Sequence, residues 1–290
     1  MTVLIMTSKV IAALVLAPLA GGLLVGLDRV ITARMQRRKG PPLLQPFWDV
    51  AKLRQKQSTT VNTMTRFFTT FYLCFIAFTT VLLLVGSDIL LCVFAFTLSC
   101  LFFVIVGYSS YSPFGFTGTE RELLQIMCYE PMILLVAFGF FKVLGTFYVS
   151  GVFSQPSPAI IRMPLLFLGL CYVLTIKLRK SPFDLSMSHH GHQEIVKGIT
   201  TELTGICMAM VEVAHWFEVV FSLGLVYLFI AYAAPYSWAL ALVVCLAVYF
   251  LEIVIDNAFA RIKWRLAIKS SWIVTAVFGG LNILALNYIK

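Results

Sequence analysis

Residues 88–108 read DILLCVFAFTLSCLFFVIVGY, and after Asp88 no charged side chain follows through Tyr108. An α-helix rises about 1.5 Å per residue, so roughly 20 such residues cover the ~30 Å of a bilayer's hydrocarbon. Working outward, comparable apolar runs occur at about 5–27, 67–86, 123–146, 160–178, 203–233, 237–256 and 267–288. The pattern predicts about eight transmembrane helices. The 203–233 run exceeds one perpendicular crossing and is expected to tilt, kink or extend into water. Composition agrees: 60% of the 290 residues are apolar and 12% charged, where a soluble domain has roughly half and a quarter. The expected fold is an all-α polytopic membrane bundle, with residues 1–290 as a single transmembrane domain. The opening stretch to Gly26 has Lys9 as its one cation and no small-residue cleavage site, so it is expected to be a retained first helix.

Basic residues predict the orientation. The segment after the first run carries Arg29, Arg34, Arg37, Arg38, Lys39, Lys52, Arg54, Lys56 and Arg66. Arg121 follows the third run, Lys177, Arg179, Lys180 and Lys197 the fifth, and Arg261, Lys263, Arg265 and Lys269 the seventh. Only Lys9, Lys142, Arg162 and Lys290, of 22 lysines and arginines, fall elsewhere. The positive-inside rule then puts these loops in the cytoplasm and both termini outside. The net charge of +9 sits largely on that face. No stacking-aromatic or helix-in-groove module accompanies it, which argues against nucleic acid and for lipid or a protein partner. After the Gly40-Pro41-Pro42 break, apolar residues at 43, 44, 47, 48, 50, 51 and 53 predict a short amphipathic helix in the interface. Trp48 would lie at headgroup level and Lys52 would reach outward. The Gly22-Leu23-Leu24-Val25-Gly26 pattern arises easily by chance in such a helix and carries no weight at this stage.

Ionisable groups inside hydrocarbon cost about 2.5–3.5 kcal/mol each on insertion scales, which makes them functional candidates. Glu130 lies in the fourth run with Glu120 and Glu122 at its entrance. Glu202, Glu212, His215 and Glu218 mark the sixth, and Glu252 and Asp256 close the seventh. Positions 212, 215 and 218 share much of one helical face. Such a face suits a proton relay, in which each group must take and release a proton. Taken singly, each glutamate is equally well a neutral packing contact; taken together, so many insertion costs argue for use.

Other chemistry is poorly supported. The cysteines at 74, 92, 100, 128, 171, 207 and 245 all fall in apolar runs, and no two share a CxxC spacing. They read as small packing residues, so no cluster or zinc is expected in this chain. Glu212-Val213-Ala214-His215 matches one Glu-x-x-His pair of di-iron bundles, which need two pairs and further carboxylates. His189, His190, His192 and Glu194 could bind a metal or titrate near neutrality, but a docking role fits better than a metal site. Phosphate loops, nucleophile elbows and zincin signatures are absent, so no catalytic residue and no metal ligand is expected.

The stretch Arg34-Met35-Gln36-Arg37-Arg38-Lys39-Gly40-Pro41-Pro42, with Leu44-Gln45-Pro46, Asp49 and Lys52-Leu53 after it, resembles the first cytoplasmic loop of the quinone-site membrane subunit of respiratory complex I. Membrane-bound [NiFe] hydrogenases share that loop. Pro182-Phe183-Asp184-Leu185, followed by Glu194, Gly198, Glu202 and Gly205, is similar to the fifth loop of the same superfamily. Residues 256–264 look like the end of the seventh span in the hydrogenase branch. In complex I a Pro and an acidic run follow Pro-Phe-Asp-Leu; here Ser186-Met187-Ser188-His189-His190-Gly191-His192-Gln193-Glu194 stands there. That loop is similar to energy-converting, ferredoxin-linked (Ech and Mbh kind) hydrogenases, and unlike formate hydrogenlyase.

The resemblance implies a subunit with no cofactor of its own in a proton-reducing complex. The Ni-Fe centre and 4Fe-4S clusters would sit in the hydrogenase large and small subunits and a ferredoxin-like iron–sulfur subunit. An antiporter-like membrane subunit would be its neighbour in the lipid bilayer of the cell's inner membrane. By the same resemblance Glu130, Glu202 and Glu212 would line an ion passage. Arg34, Arg37, Arg38, Asp184 and the 189–194 loop would form the docking surface. The alternative within the superfamily is a membrane subunit of complex I (NADH/quinone oxidoreductase) or of formate hydrogenlyase. An independent secondary transporter is the alternative of another class; it predicts internal repeats and broken mid-membrane helices, and no period relates the two halves.

Overall fold

The computed structural model describes residues 2–57, 62–183, 186 and 197–288. The helices among them are α1 (Thr2–Met35), α2 (Gln45–Gln55), α3 (Thr63–Val85), α4 (Ile89–Tyr108), α5 (Pro113–Leu144), α6 (Ala159–Arg162), α7 (Pro164–Lys177), α8 (Gly205–Ile230), α9 (Ser237–Ala258), α10 (Trp264–Val274) and α11 (Leu281–Tyr288). A π-helical stretch, Thr275–Gly280, joins the last two. Seven helices among the described residues are long and apolar enough to cross a membrane, counting Trp264–Tyr288 as one. The protein is an all-α polytopic membrane protein.

The expected 160–178 span takes a different form. Met163 breaks out of helical geometry, Pro164 brings no N–H to continue the preceding turn, and α7 is left with 14 residues. At 1.5 Å per residue that is about 21 Å, short of a full crossing. The 203–233 run resolves into the 26-residue α8.

Local chemistry explains the boundaries. The Asp88 carboxylate accepts from the N–H groups of Leu90 (2.8 Å) and Leu91 (3.2 Å), capping α4. Asn62 caps α3 in the same way, by accepting from Met64 N–H at 2.9 Å. At the far end of α3, Gly86 adopts φ 92°, a left-handed conformation that a side chain would oppose.

The core gathers around α8, whose most apolar window is 72% enclosed. Phe96 of α4 stacks on Phe221 of α8 at 4.7 Å, and Phe140 of α5 meets Phe229 at 4.9 Å. By contrast α1 and α9 turn residues such as Leu16, Val243 and Phe250 outward, which lipid tolerates and water would not.

α2 forms where the amphipathic pattern predicts it, and Trp48 is exposed. It is also pinned to the bundle: Phe47 lies 4.9 Å from the Trp216 ring, and Arg29 pairs with Asp49 at 2.6 Å. The Gly22–Gly26 pattern is used here, contrary to the sequence reading. Gly22 faces the Phe47 ring, Gly26 the Leu43 carbonyl, and neighbouring Gly21 the Trp216 carbonyl. The contacts are with α2, its approach loop and α8, partners that no span-by-span reading supplies.

Candidate functional site

The end of α7 and the turn after it direct three cations inward. Lys177 ends the helix, and its side chain is 3% exposed. The backbone then reverses: the N–H groups of Arg179 and Lys180 donate to the carbonyls of Ile176 (3.1 Å) and Thr175 (3.0 Å). Arg179 sits at φ 53°, a left-handed conformation costing a non-glycine residue roughly 1–2 kcal/mol. That reversal sends Lys177 and Arg179 to one side and Lys180 to another.

The first side is a buried four-charge cluster. Lys177 Nζ lies 3.0 Å from Glu218 Oε1 of α8 and 3.3 Å from Cys100 Sγ of α4. It also stands 4.4 Å above the Phe96 ring and 5.0 Å from that of Tyr129, where aromatic faces favour a cation. Arg179 Nη2 donates to Glu122 Oε1 of α5 at 2.9 Å, and its Nη1 is 3.9 Å from Glu218 Oε2. Burial opposes the Arg179 charge, and Glu122 and Glu218 more than offset it, holding the guanidinium well above its ordinary pKa. Ser186 Oγ donates to the other Glu122 oxygen. His215 Nδ1 stands 3.5 Å from Glu218 Oε2, near but not hydrogen-bonded. The hydroxyls of Tyr72 and Tyr129 are buried without partners among the described residues.

Two acids and two bases leave this cluster neutral overall. Burying such a set gains little over an apolar core of the same shape, whereas losing one member exposes an uncompensated charge. The arrangement is therefore poor as a stabiliser and sensitive to small displacements of charge. The Gly198–Thr200 turn closes it from the loop side, its backbone against Gly118 of α5 and the Ile199 side chain against Gly107 of α4.

The second side gathers on α1 and α9. Lys180 Nζ contacts Asp28 Oδ2 and lies 3.4 Å from Asp256 Oδ2. The Ser181 N–H donates to Asp256 Oδ1 at 2.8 Å. Asn257 links α9 to Thr32 of α1 at 3.3 Å. Glu252, one turn before Asp256, is fully buried.

The sequence candidates thus divide. Glu218, His215 and Glu122 meet in the first cluster, where the Glu122 side chain is buried. Glu252 and Asp256 belong to the second. Glu130 stands apart, accepting from Thr97 Oγ1 at 2.9 Å. Glu120 is exposed and accepts from the Tyr108 hydroxyl. Glu212 is half-buried and forms no ion pair with the described residues. Glu202 lines a small polar recess with Asn62, Thr65, Ser109 and Tyr111. Arg34, Arg37 and Arg38 are exposed at the end of α1. Asp184, His189, His190, His192 and Glu194 lie outside the described residues. Of the cysteines, Cys74 is exposed rather than packed inside and Cys171 is half-buried.

Lys177, Arg179, Lys180 and Asp28 are absent from the sequence candidates. From sequence alone these cations read only as orientation charges. A signal was available: Lys177 follows directly on the apolar run of residues 164–176.

The chain is 31% identical over 211 residues to formate hydrogenlyase subunit 4 of Escherichia coli, with 67% of each chain covered. It is 24% identical to hydrogenase-4 component C of the same organism, over 92% of this chain and 90% of that one. It is 25% identical to NADH-ubiquinone oxidoreductase chain 1 of Aedes aegypti, over 67% of each. In fold it matches a chain of an archaeal membrane-bound sulfane sulfur reductase, at a TM-score of 0.85, 22% identity and coverage of 97% and 99%. The model of one family, described as NADH dehydrogenase, matches residues 8–287, and the chain belongs to that family as a membrane subunit of the complex I-like and hydrogenase kind.

Proposed function

We propose that this subunit docks the peripheral arm of a ferredoxin-linked, proton-reducing [NiFe] hydrogenase and couples its electron transfer to H⁺ or Na⁺ translocation. The observation that carries the reading is Glu218, a carboxylate enclosed in a membrane span and faced by Lys177, Arg179 and His215. The redox chemistry belongs to partners: hydrogenase large and small subunits holding the Ni-Fe centre and 4Fe-4S clusters, and a ferredoxin-like iron–sulfur subunit. An antiporter-like membrane subunit receives the signal.

The coupling runs through a short piece of chain. The segment carrying Asp184 to Glu194 continues directly from Ser181–Phe183, and so from Lys177, Arg179 and Lys180. A displacement of the Lys177–Phe183 turn on reduction of the docked arm moves Arg179 relative to Glu122 and Glu218. The freed carboxylate then takes a proton, and the changed field biases ion transfer in neighbouring subunits.

In inverted vesicles, Glu212→Gln is expected to lower H₂-linked ion pumping at least tenfold while dye-linked hydrogenase turnover stays near wild type. Normal pumping would remove Glu212 from the passage. For the orientation, reporters fused at either terminus are expected to signal an outside location, and reporters in the 36–57 segment a cytoplasmic one; the reverse would invert the docking face.

A formate-linked arm is the second reading, favoured by the 31% identity to formate hydrogenlyase subunit 4. Purifying the complex from its native membrane and identifying its dehydrogenase subunits distinguishes the two. Nickel together with a formate-oxidising subunit would establish the second.

A further inference from the structure

Glu252 is 0% exposed, and neither carboxylate oxygen has a hydrogen-bond partner among the described residues. An ionised carboxylate is not sustained in that state, because nothing replaces the water it has lost. The group is nonetheless not isolated. One turn further along the same face of α9 stands Asp256, held by Lys180 and the Ser181 N–H. On α9 itself Tyr249 spends its hydroxyl on the Leu24 carbonyl, at 3.3 Å. From the other elements, Lys180 and Asp28 face this region through their ion pair, and Cys171 of α7 lies near Glu252.

This place is separate from the four-charge cluster. Lys177 and Arg179 serve Glu122 and Glu218, Lys180 serves Asp28 and Asp256, and no ion pair among the described residues joins the two sets. The charges that reach Glu252 are those of Lys180 and Asp256. Among the described residues its carboxyl has no hydrogen-bond partner and joins no group of three or more metal-ligating side chains, whereas a metal cation would need several ligands. The ligand that fits is a proton.

We propose that Glu252 is a proton-holding site of its own, protonated at rest and exchanging that proton with Asp256 under the charge of Lys180. The exchange runs through an intervening water: the O–H bond of Glu252 breaks as its proton passes to the water, and a water proton bonds to the Asp256 carboxylate, so the pair keeps one negative charge throughout. Lys180 governs the direction: drawn toward Asp256 it favours the proton on Glu252, and drawn away toward Asp28 it lets Asp256 accept. Since Lys180 follows Arg179 in the chain, one movement of the turn after α7 acts on both charge sets.

The test uses the assembled complex in its own membranes and dicyclohexylcarbodiimide, an apolar reagent that adds to protonated carboxyl groups. Peptide mass spectrometry is expected to find the adduct on Glu252 at neutral pH, to lose it in Glu252→Gln, and to see it fall as the pH rises. Asp256→Asn removes a neighbouring anion, so labelling should disappear at lower pH. Lys180→Met removes a cation, so labelling should persist to higher pH. Two shifts of opposite sign are not expected of a merely structural side chain. Difference infrared spectroscopy covers poor reagent access: a protonated-carboxyl carbonyl band present in wild type should vanish in Glu252→Gln. Absence of both adduct and band at neutral pH overturns the proposal, as does labelling that neither neighbouring substitution moves. Neither readout uses hydrogen turnover or pumping, so failure here is distinguishable from failure of the hydrogenase reading.

Discussion

Lys177→Met is expected to destabilise the protein by about 3–5 kcal/mol, the range seen when one partner of a buried ion pair is removed. The reason lies in what remains. Glu218 is 2% exposed, and with Lys177 gone its surviving cation is Arg179 at 3.9 Å, already engaged with Glu122 at 2.9 Å. Glu218→Gln is expected to cost a comparable amount, because it strands Lys177 between Phe96, Tyr129 and Cys100. The double variant Lys177→Met/Glu218→Leu keeps the cluster neutral and should recover most of either loss, since apolar replacement of a whole buried pair is often close to neutral. Function should not recover with it. All three variants are expected to lose ion pumping in vesicles while dye-linked hydrogenase turnover persists in whatever complex assembles. Thermal unfolding of the purified complex reads the first part and vesicle pumping the second. A single variant as stable as wild type would mean that the cluster is hydrated and its charges cheap to unpair.

Gly21→Val should prevent assembly altogether. A side chain at Gly21 runs into the backbone carbonyl of Trp216 rather than the end of a flexible side chain, so α1 must leave α8 to make room. Trp216 adjoins His215 in sequence, and its ring also receives Phe47 of α2. Displacing α1 therefore disturbs the docking of α2 and the α8 segment bearing His215 and Glu218. Overpacking of a close contact typically costs about 1–3 kcal/mol, and a backbone-to-backbone approach lies at or above the top of that range. Gly280→Ala is the matched control, because a Cβ there meets nothing within 4 Å. The measurement is the amount of intact complex recovered from membranes. Normal yield and unfolding temperature for Gly21→Val would show that the two helices do not hold this approach in the assembled state.

Several features could be read before any coordinates. The short helix after Gly40-Pro41-Pro42 and the shared face of His215 and Glu218 both depend on residues within a turn of each other. Cations were harder to place. Lys177, Arg179 and Lys180 look from the sequence like one basic patch at a membrane boundary, because charge sign and position alone decide such a reading. Their division between two acid clusters follows from the left-handed turn at Arg179, which no composition or period reveals. Glu252 and Glu218 looked like members of one path for the same reason: both are acids in apolar runs, and depth along a span says nothing of the direction a side chain faces.

What the sequence by itself determined is the solvent and the segments: lipid around an all-helical bundle, and acids at known heights along particular helices. Those follow from composition and from the 3.6-residue period, both local quantities. Tertiary structure alone decided which charge meets which. Lys177 finds Glu218 across 41 positions and Arg179 finds Glu122 across 57. Such pairings depend on how α5, α7 and α8 pack, and helix packing is a collective outcome of many side chains that no single stretch of chain encodes.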